Sequence, residues 1–263
     1  MPALAQQPPK EEARFGVITD FELHFAQFGG GDGFSSDIVL TNPSTFFAAS
    51  GTIDFFDASG QPLEIELVDD EVEGAVSSVN FELAPAGGLR LRTDSSRPIA
   101  LGSATLTSGD LVGGVIRFRI PNVGIAGVPA SQPLEGAIVP FRQQDGVRTA
   151  LAVRNLMDAG NLIVTLSLRD FDGVELPGGF FALALQPHAR SAEFIDEIFD
   201  ELDLSGFEGV VVMEAEGPFA ATALELGDDA GEFTTLPVTP LPDVILLNEK
   251  IAEVRRQMPQ GNR

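Results

Sequence analysis

Cysteine, tryptophan and tyrosine are all absent from the 263 residues, and histidine occurs only twice. Disulfides, thiolate metal sites and cysteine nucleophiles are therefore excluded, and 20 phenylalanines must supply the whole aromatic core. Positive charge is also scarce. Sixteen Lys and Arg stand against 39 Asp and Glu, a net charge of −23. Nucleic acid and anionic membranes repel such a surface, which argues against both as partners. The chain lacks any apolar run of the roughly 18 residues that a membrane-spanning helix needs. Hydrophobic residues nevertheless make up 44% of the chain, enough for a packed core.

The two ends differ in character from the middle. Ala3-Leu4-Ala5 has the small-x-small form of a signal-peptidase site, with cleavage expected before Gln6, although the apolar stretch that normally precedes such a site is missing. Residues 1–21 thus read as a signal-peptide remnant and disordered lead-in, and the expected location is secreted, periplasmic or cell-surface. From Pro242 the pattern turns helical. Val244, Leu247, Ile251, Val254 and Met258 form one apolar stripe, with Asp243 as a cap and Arg255 and Arg256 suited to the C-terminal end of the dipole. Residues 242–263 are expected to form an amphipathic helix that docks on its own domain or mediates self-association.

Between these ends the chain is built twice. At a shift of 113 residues Phe28 falls on Phe141, Asp32-Gly33 on Asp145-Gly146, Asn42 on Asn155, Asp57 on Asp170 and Gly60 on Gly173. The match resumes at a shift of 102, where Leu83-Ala84-Pro85 meets Leu185-Gln186-Pro187. Two copies follow, residues 22–133 and 134–241. Within a copy the signals are β: Ser36–Pro43 is a strand ended by Asn-Pro, and Gly51–Phe56 alternates before Asp57-Ala58-Ser59-Gly60. That turn predicts a hairpin whose second strand starts at Gln61-Pro62-Leu63. Leu101–Thr107 and Gly113–Ile120 are expected to form a second strand pair, and Leu162–Leu168, Gly209–Met213 and Phe219–Leu226 are their counterparts in copy two. Strands at this spacing predict an all-β protein of two tandem Ig-like β-sandwich domains with a short C-terminal helix. Extra residues in copy two, from Ser191 to Phe199, read as a short helix capped by Ser191.

The run Phe25–Phe28, Gly33–Pro43 and Phe55–Leu63, together with the joining segment Ala126–Ser131, resembles a class of tandem Ig-like β-sandwich repeat domains of secreted proteins from environmental bacteria. The resemblance covers residues 22–241. It implies export and a pair of Ig-like sandwiches. It brings no catalytic residues, so none is carried over.

Few side chains invite chemistry. Asp170-Phe171-Asp172-Gly173 has the opening of a calcium loop, but copy one has Asp57-Ala58-Ser59-Gly60 in its place, so the shared residues are turn formers. Asp69, Asp70, Glu71 and Glu73, and likewise Asp228, Asp229 and Glu232, are carboxylate clusters in expected loops; they are the candidate calcium ligands. Calcium is the only cofactor the sequence raises. His24 aligns with Ala137 and His188 with Ala86, so neither histidine is duplicated; His24 is expected at a strand edge and His188 exposed in a Pro turn. Phe46 and Phe47, in the loop after Asn42-Pro43, are the candidate ligand-binding aromatics, the alternative being packing between strands or against the other domain.

These features predict a non-enzymatic, extracellular structural or adhesive module with a protein, cell-surface or extracellular-matrix partner. The alternative is a carbohydrate- or calcium-binding accessory module, and a third reading places an enzyme site at the domain junction. All of this rests on duplication, with matched positions shaping turns and interiors; a single undivided fold, or side chains from both halves converging on one buried polar pocket, would count against it.

Overall fold

The computed structural model describes residues 21–68, 73–227 and 233–242. Asp69, Asp70, Glu71, Asp228, Asp229 and Glu232 lie outside the described residues, as do the lead-in 1–20, segment 243–263 and the side chain of Glu73.

Strict alternation drives the first half into two antiparallel sheets. In β1 (Phe21–Gly30), β2 (Ser35–Thr41) and β3 (Ala49–Phe56), successive side chains point to opposite faces, and Phe28, Ile38, Leu40, Ile53 and Phe55 all turn inward. The hairpin of β4 (Ile65–Val68) and β5 (Glu73–Val76) follows, then β6 (Ser78–Leu83), β7 (Gly88–Arg92), β8 (Ala100–Ser108), β9 (Gly113–Ile120) and β10 (Gly124–Pro129). One sheet has the order β1-β8-β3-β6 and the other β10-β9-β2-β7. Their inner faces form one core in which the rings of Phe28 and Phe55 lie 5.0 Å apart. Burying each such ring contributes about 2–3 kcal/mol.

The second half comprises β11 (Leu134–Gln144), β12 (Val147–Asn155), β13 (Leu162–Arg169), β14 (Glu175–Leu185), β15 (Arg190–Phe194), α1 (Ile195–Ile198), β16 (Phe207–Gly227), β17 (Phe233–Leu236) and β18 (Thr239–Pro240). β16 serves both sides of the sandwich. Residues 207–214 pair with β11 and 210–215 with β13, while residues 219–227 pair with β12 and, over 223–226, with β17. Between these stretches a Cβ on Gly217 would stand 2.9 Å from the Met157 sulfur, so a larger residue at that corner would have to displace the Met157 side chain. With β16 taken as two segments, every pairing of the two four-stranded sheets recurs, while the β4–β5 hairpin has no counterpart: β11, β16, β13 and β14 stand where β1, β8, β3 and β6 stand, and β17, β16, β12 and β15 where β10, β9, β2 and β7 stand.

The shared turn residues do equivalent work. The Asn42 side-chain amide donates to the carbonyls of Phe47, Leu83 and Ala84 while its oxygen accepts from the Ser44 N–H. Asn155 donates to Gly160, Leu185 and Gln186 and accepts from Met157. Asp57 Oδ1 accepts from the N–H groups of Ser59 and Gln61, and Asp170 Oδ1 from those of Asp172 and Val174. The Asp170 turn is therefore a hairpin device, as its counterpart predicts.

Four details depart from the sequence reading. The strand expected at Gln61-Pro62-Leu63 is a single bridge of Phe56 to Pro62, and the ladder partner of β3 is β6. β8 and β9 do not pair; each joins a different sheet, because the connection crosses from one layer to the other. Ser191 pairs with Val153 inside β15 rather than capping a helix, and the helix is one turn, Ile195–Ile198, in which Ile195 and Ile198 are buried. A β-bulge between Phe25 and Phe28 adds one residue to β1, so His24, opposite Thr105, takes the place of Ile138, opposite Val212, and not that of Ala137.

The asparagine anchors are expected to be costly to remove. Asn155→Ala removes a fully buried amide that donates to the Gly160, Leu185 and Gln186 carbonyls and should lower unfolding free energy by about 2–3 kcal/mol in urea titrations, with Asn42→Ala close behind. A loss below about 0.5 kcal/mol for both would refute the anchoring role.

Candidate functional site

Two places gather unusual side chains: the junction of the halves and one loop at the far end of β2. At the junction the outward face of β1 and β8 meets β12 and the turn before β15. Arg154 on β12 is 1% exposed. Its Nη1 donates to Thr105 Oγ1 at 2.8 Å, its Nε donates to the His188 carbonyl at 3.4 Å, and its guanidinium carbon sits 4.4 Å from the centre of the Phe56 ring. Phe56 in turn stacks on the His188 imidazole with centroids 5.6 Å apart. Next to it Arg190 donates through Nη1 to the Gln27 side-chain oxygen and through its backbone N–H to the Ala58 carbonyl at 3.0 Å. The turn of the first copy is clasped here: a Cβ on Gly60 (φ 85°) would lie 2.4 Å from the Pro187 oxygen, while the equivalent Gly173 has nothing within 4 Å.

His24 completes the cluster. It is 3% exposed, its Nδ1 lies 3.3 Å from Thr105 Oγ1, and its Nε2 lies 3.6 Å from Glu22 Oε2, too far for a hydrogen bond. Burial, and then electrostatic repulsion from Arg154 and His188, push its pKa down to about 4, so the ring is neutral near pH 7. Burial also lowers the Arg154 pKa to about 10 against the pull of Glu22, and the guanidinium stays charged. Polar side chains from both halves thus converge in one buried cluster, contrary to the sequence expectation, and His24 lies on β1, the edge strand of its sheet, but is buried there. His188 sits in its Pro turn as expected, but at φ 59° and half-buried against Phe56. The row Glu22, His24, Thr105 has the residue types of a base-assisted nucleophile. However, Thr105 Oγ1 is occupied by Arg154 and the ring is sealed from solvent, so the arrangement holds the two halves together.

Beside this clamp an apolar cleft of about 440 Å³ opens between the halves, lined by Phe34, Leu101 and Phe118 on one side and Phe194, Leu224 and Phe233 on the other. Phe233 belongs to the core of the first sandwich, so the second half completes the interior of the first.

At the loop, Asn42 fixes the Phe47 carbonyl and Ser44 Oγ accepts from the N–H groups of Phe46 and Phe47 at 3.3 and 3.0 Å. The backbone is therefore held while both rings stand in solvent, Phe46 83% and Phe47 74% exposed. Leu111, also exposed, lines one shallow depression with Pro43, Phe47 and Ala48. Neither ring packs between strands or against the second half. The equivalent loop after Asn155 carries no aromatic residue, and its Met157 turns inward against Gly217.

The carboxylates singled out for calcium cannot be placed, since Asp69, Asp70, Glu71 and the Glu73 side chain fall outside the described residues. Among the described residues no three His, Asp or Glu side chains are grouped to hold a metal, and no helix is long and apolar enough to cross a membrane. The residues sequence reasoning missed are Arg154 and Arg190. Both stand in the outward phase of their strands, in step with Ala150 and Ala152 and opposite to the core residues Leu151 and Val153, so alternation marks them as solvated and gives no signal of their burial. Comparison with known protein families, with curated proteins and with solved structures finds no match for this chain.

The clamp makes stability sensitive to pH in a defined window. His24 titrates near 6.5 when unfolded and near 4 when folded, so the unfolded chain binds the extra proton between those values. Stability is full above about pH 6.5 and falls by roughly 3 kcal/mol as the pH drops to 4. Carboxylates held below their usual range act lower: Asp57, despite slight burial, is held down by hydrogen bonds from Ser59, Gln61 and Gly60, and loses its share only below its unfolded pKa. Unfolding free energies measured from pH 7 to 4 should show the His24 loss in the wild type and a flattened profile in His24→Gln. Separately, Arg154→Ala should cost about 3 kcal/mol through lost packing and an unpaired Thr105. It should also split one calorimetric transition into two, and a single unshifted transition would refute the clamp.

Proposed function

We propose that this chain is an exported, non-catalytic interaction module: two tandem Ig-like sandwiches, the products of an internal duplication, joined rigidly and presenting Phe46 and Phe47 to a protein partner on a cell surface or in the extracellular matrix. The recurrence of every pairing within the two four-stranded sheets, and of the Asn and Asp anchors, supports the duplication. One observation carries the functional reading. The loop backbone is fixed by Asn42 and Ser44 while two adjacent phenyl rings remain in water, an arrangement that costs solvation and gains nothing for the fold. A preordered aromatic pair suits the core of a protein interface, where aromatic residues including Phe are enriched and rings held on a fixed backbone enter a pocket without losing backbone entropy. The acidic surface keeps the rest of the molecule soluble and limits contact to the apolar tip.

A second reading, a carbohydrate-binding accessory module, draws on the same exposed rings, because pyranose faces stack on aromatics. Retention on cell-envelope fragments of the producing organism separates the two. Protein binding is abolished when the fragments are digested with protease beforehand, and the double change Phe46→Ser/Phe47→Ser should weaken it at least about 30-fold, the equivalent of roughly 2 kcal/mol. Retention on protease-treated fragments or on purified insoluble polysaccharide would replace the protein reading with the sugar reading. Binding by the double variant equal to wild type would refute both. A calcium-dependent rise in Tm would add the ion to either.

A further inference from the structure

The two sandwiches share their interiors but not their outer faces. On the sheet of β11, β16, β13 and β14 the outward row includes Ile138, Val210, Val212, Ile163, Phe180 and Ala182. The positions that correspond in the first sandwich hold His24, Ser103, Thr105, Ser50, Ser78 and Asn80. These six have changed from polar to apolar, while Thr165, Ser167, Arg169 and Glu214 leave the same face partly polar. Ile163 is 57% and Phe180 58% exposed, and β14 runs from Leu176 to Gln186 without a single charge in a chain of net −23. An edge strand and sheet face of this kind are a liability unless something covers them.

We propose that the cover is this chain's own C-terminal segment, residues 243–263, laid across that face through the stripe Val244, Leu247, Ile251, Val254 and Met258. The path of the chain leads there. β18 pairs with Ala137 and Ile138 of β11, and the Leu241 N–H donates to the Gly136 carbonyl at 3.0 Å, so the last described residues run along the edge of this very sheet. The reach suffices. Twenty-one residues in helical form span about 30 Å, whereas four strands extend about 15 Å. The charges also agree. The segment carries four basic side chains, Lys250, Arg255, Arg256 and Arg263, against three acidic ones, in a chain otherwise dominated by carboxylates. Glu214 and Glu216 stand exposed beside the face. A helix on this sheet supplies the layer that an apolar outer face requires and leaves the Phe46–Phe47 tip, on the other sandwich, untouched.

The absence of cysteine makes a clean test in the full-length chain. Asn248→Cys, beside the stripe, is combined in turn with Ile163→Cys and Ala182→Cys on the face and with Asn80→Cys at the matching place of the first sandwich. After mild oxidation, the products are separated by non-reducing electrophoresis and weighed by mass spectrometry. At least one of the two face pairs should close within a single chain in most of the protein, and the Asn80 pair should not. Dimer-sized products from the face pairs would assign the face to a second copy and overturn the proposal. So would the absence of any cross-link to the face, or cross-linking to Asn80 of equal yield.

Discussion

A guanidinium taken out of water must be compensated where it lies, and Arg154 organises the molecule around that requirement. Among the described residues no carboxylate comes within ion-pair distance of it. Its compensation comes from a threonine hydroxyl, a carbonyl and an aromatic face, and these are contributed by both halves. Because hydrogen bonds and cation–π contact are directional, they fix orientation more tightly than apolar contact alone would. Arg190, with its bonds to Gln27 and the Ala58 carbonyl, adds a second fixed point. The small residues Ala26, Ala152 and Ala220 fill the space between, letting the backbones approach. The two halves are thereby tied together, and the lowered pKa of His24 follows from the same burial and from the neighbouring Arg154.

The two halves correspond at some positions and differ at others. The interior positions and the turn formers correspond, since a hairpin needs its Asx turn and its positive-φ glycine wherever it occurs. The outer faces and the loop tips do not correspond. One copy presents Phe46 and Phe47 where the other tucks in Met157, and one copy presents an apolar sheet face where the other is polar and partly occupied by the junction. These differences, not the shared residues, carry the functional proposals.

Local features were legible in the chain. Asn42 and Asn155, Asp57 and Asp170, and the strands around them act through hydrogen bonds a few residues away or through alternation, and both leave a direct imprint on residue order. The exposure of Phe46 and Phe47 was half legible, since a ring in a loop packs or protrudes according to what lies opposite. The strand partners were less so. A connection that crosses between layers looks in sequence like a hairpin, which is why β8 and β9 resemble a pair. A single bulged residue in β1 displaced the apparent equivalent of His24, because the side-chain period is two and one insertion moves a side chain to the opposite face.

Residue order by itself determined that this is an all-β chain whose strand pattern is written twice, with phenylalanine as its only core aromatic, turns placed by Asp, Asn and Gly, and a strongly acidic surface. Those properties depend on neighbours along the chain and on composition. Only the tertiary structure decided that Arg154, Arg190 and His24 would be buried together, that Phe233 would finish the first core, and that one outer face would be left apolar. Each of these joins residues remote in sequence, and burial is set by what the folded chain brings opposite a side chain, which periodicity cannot encode.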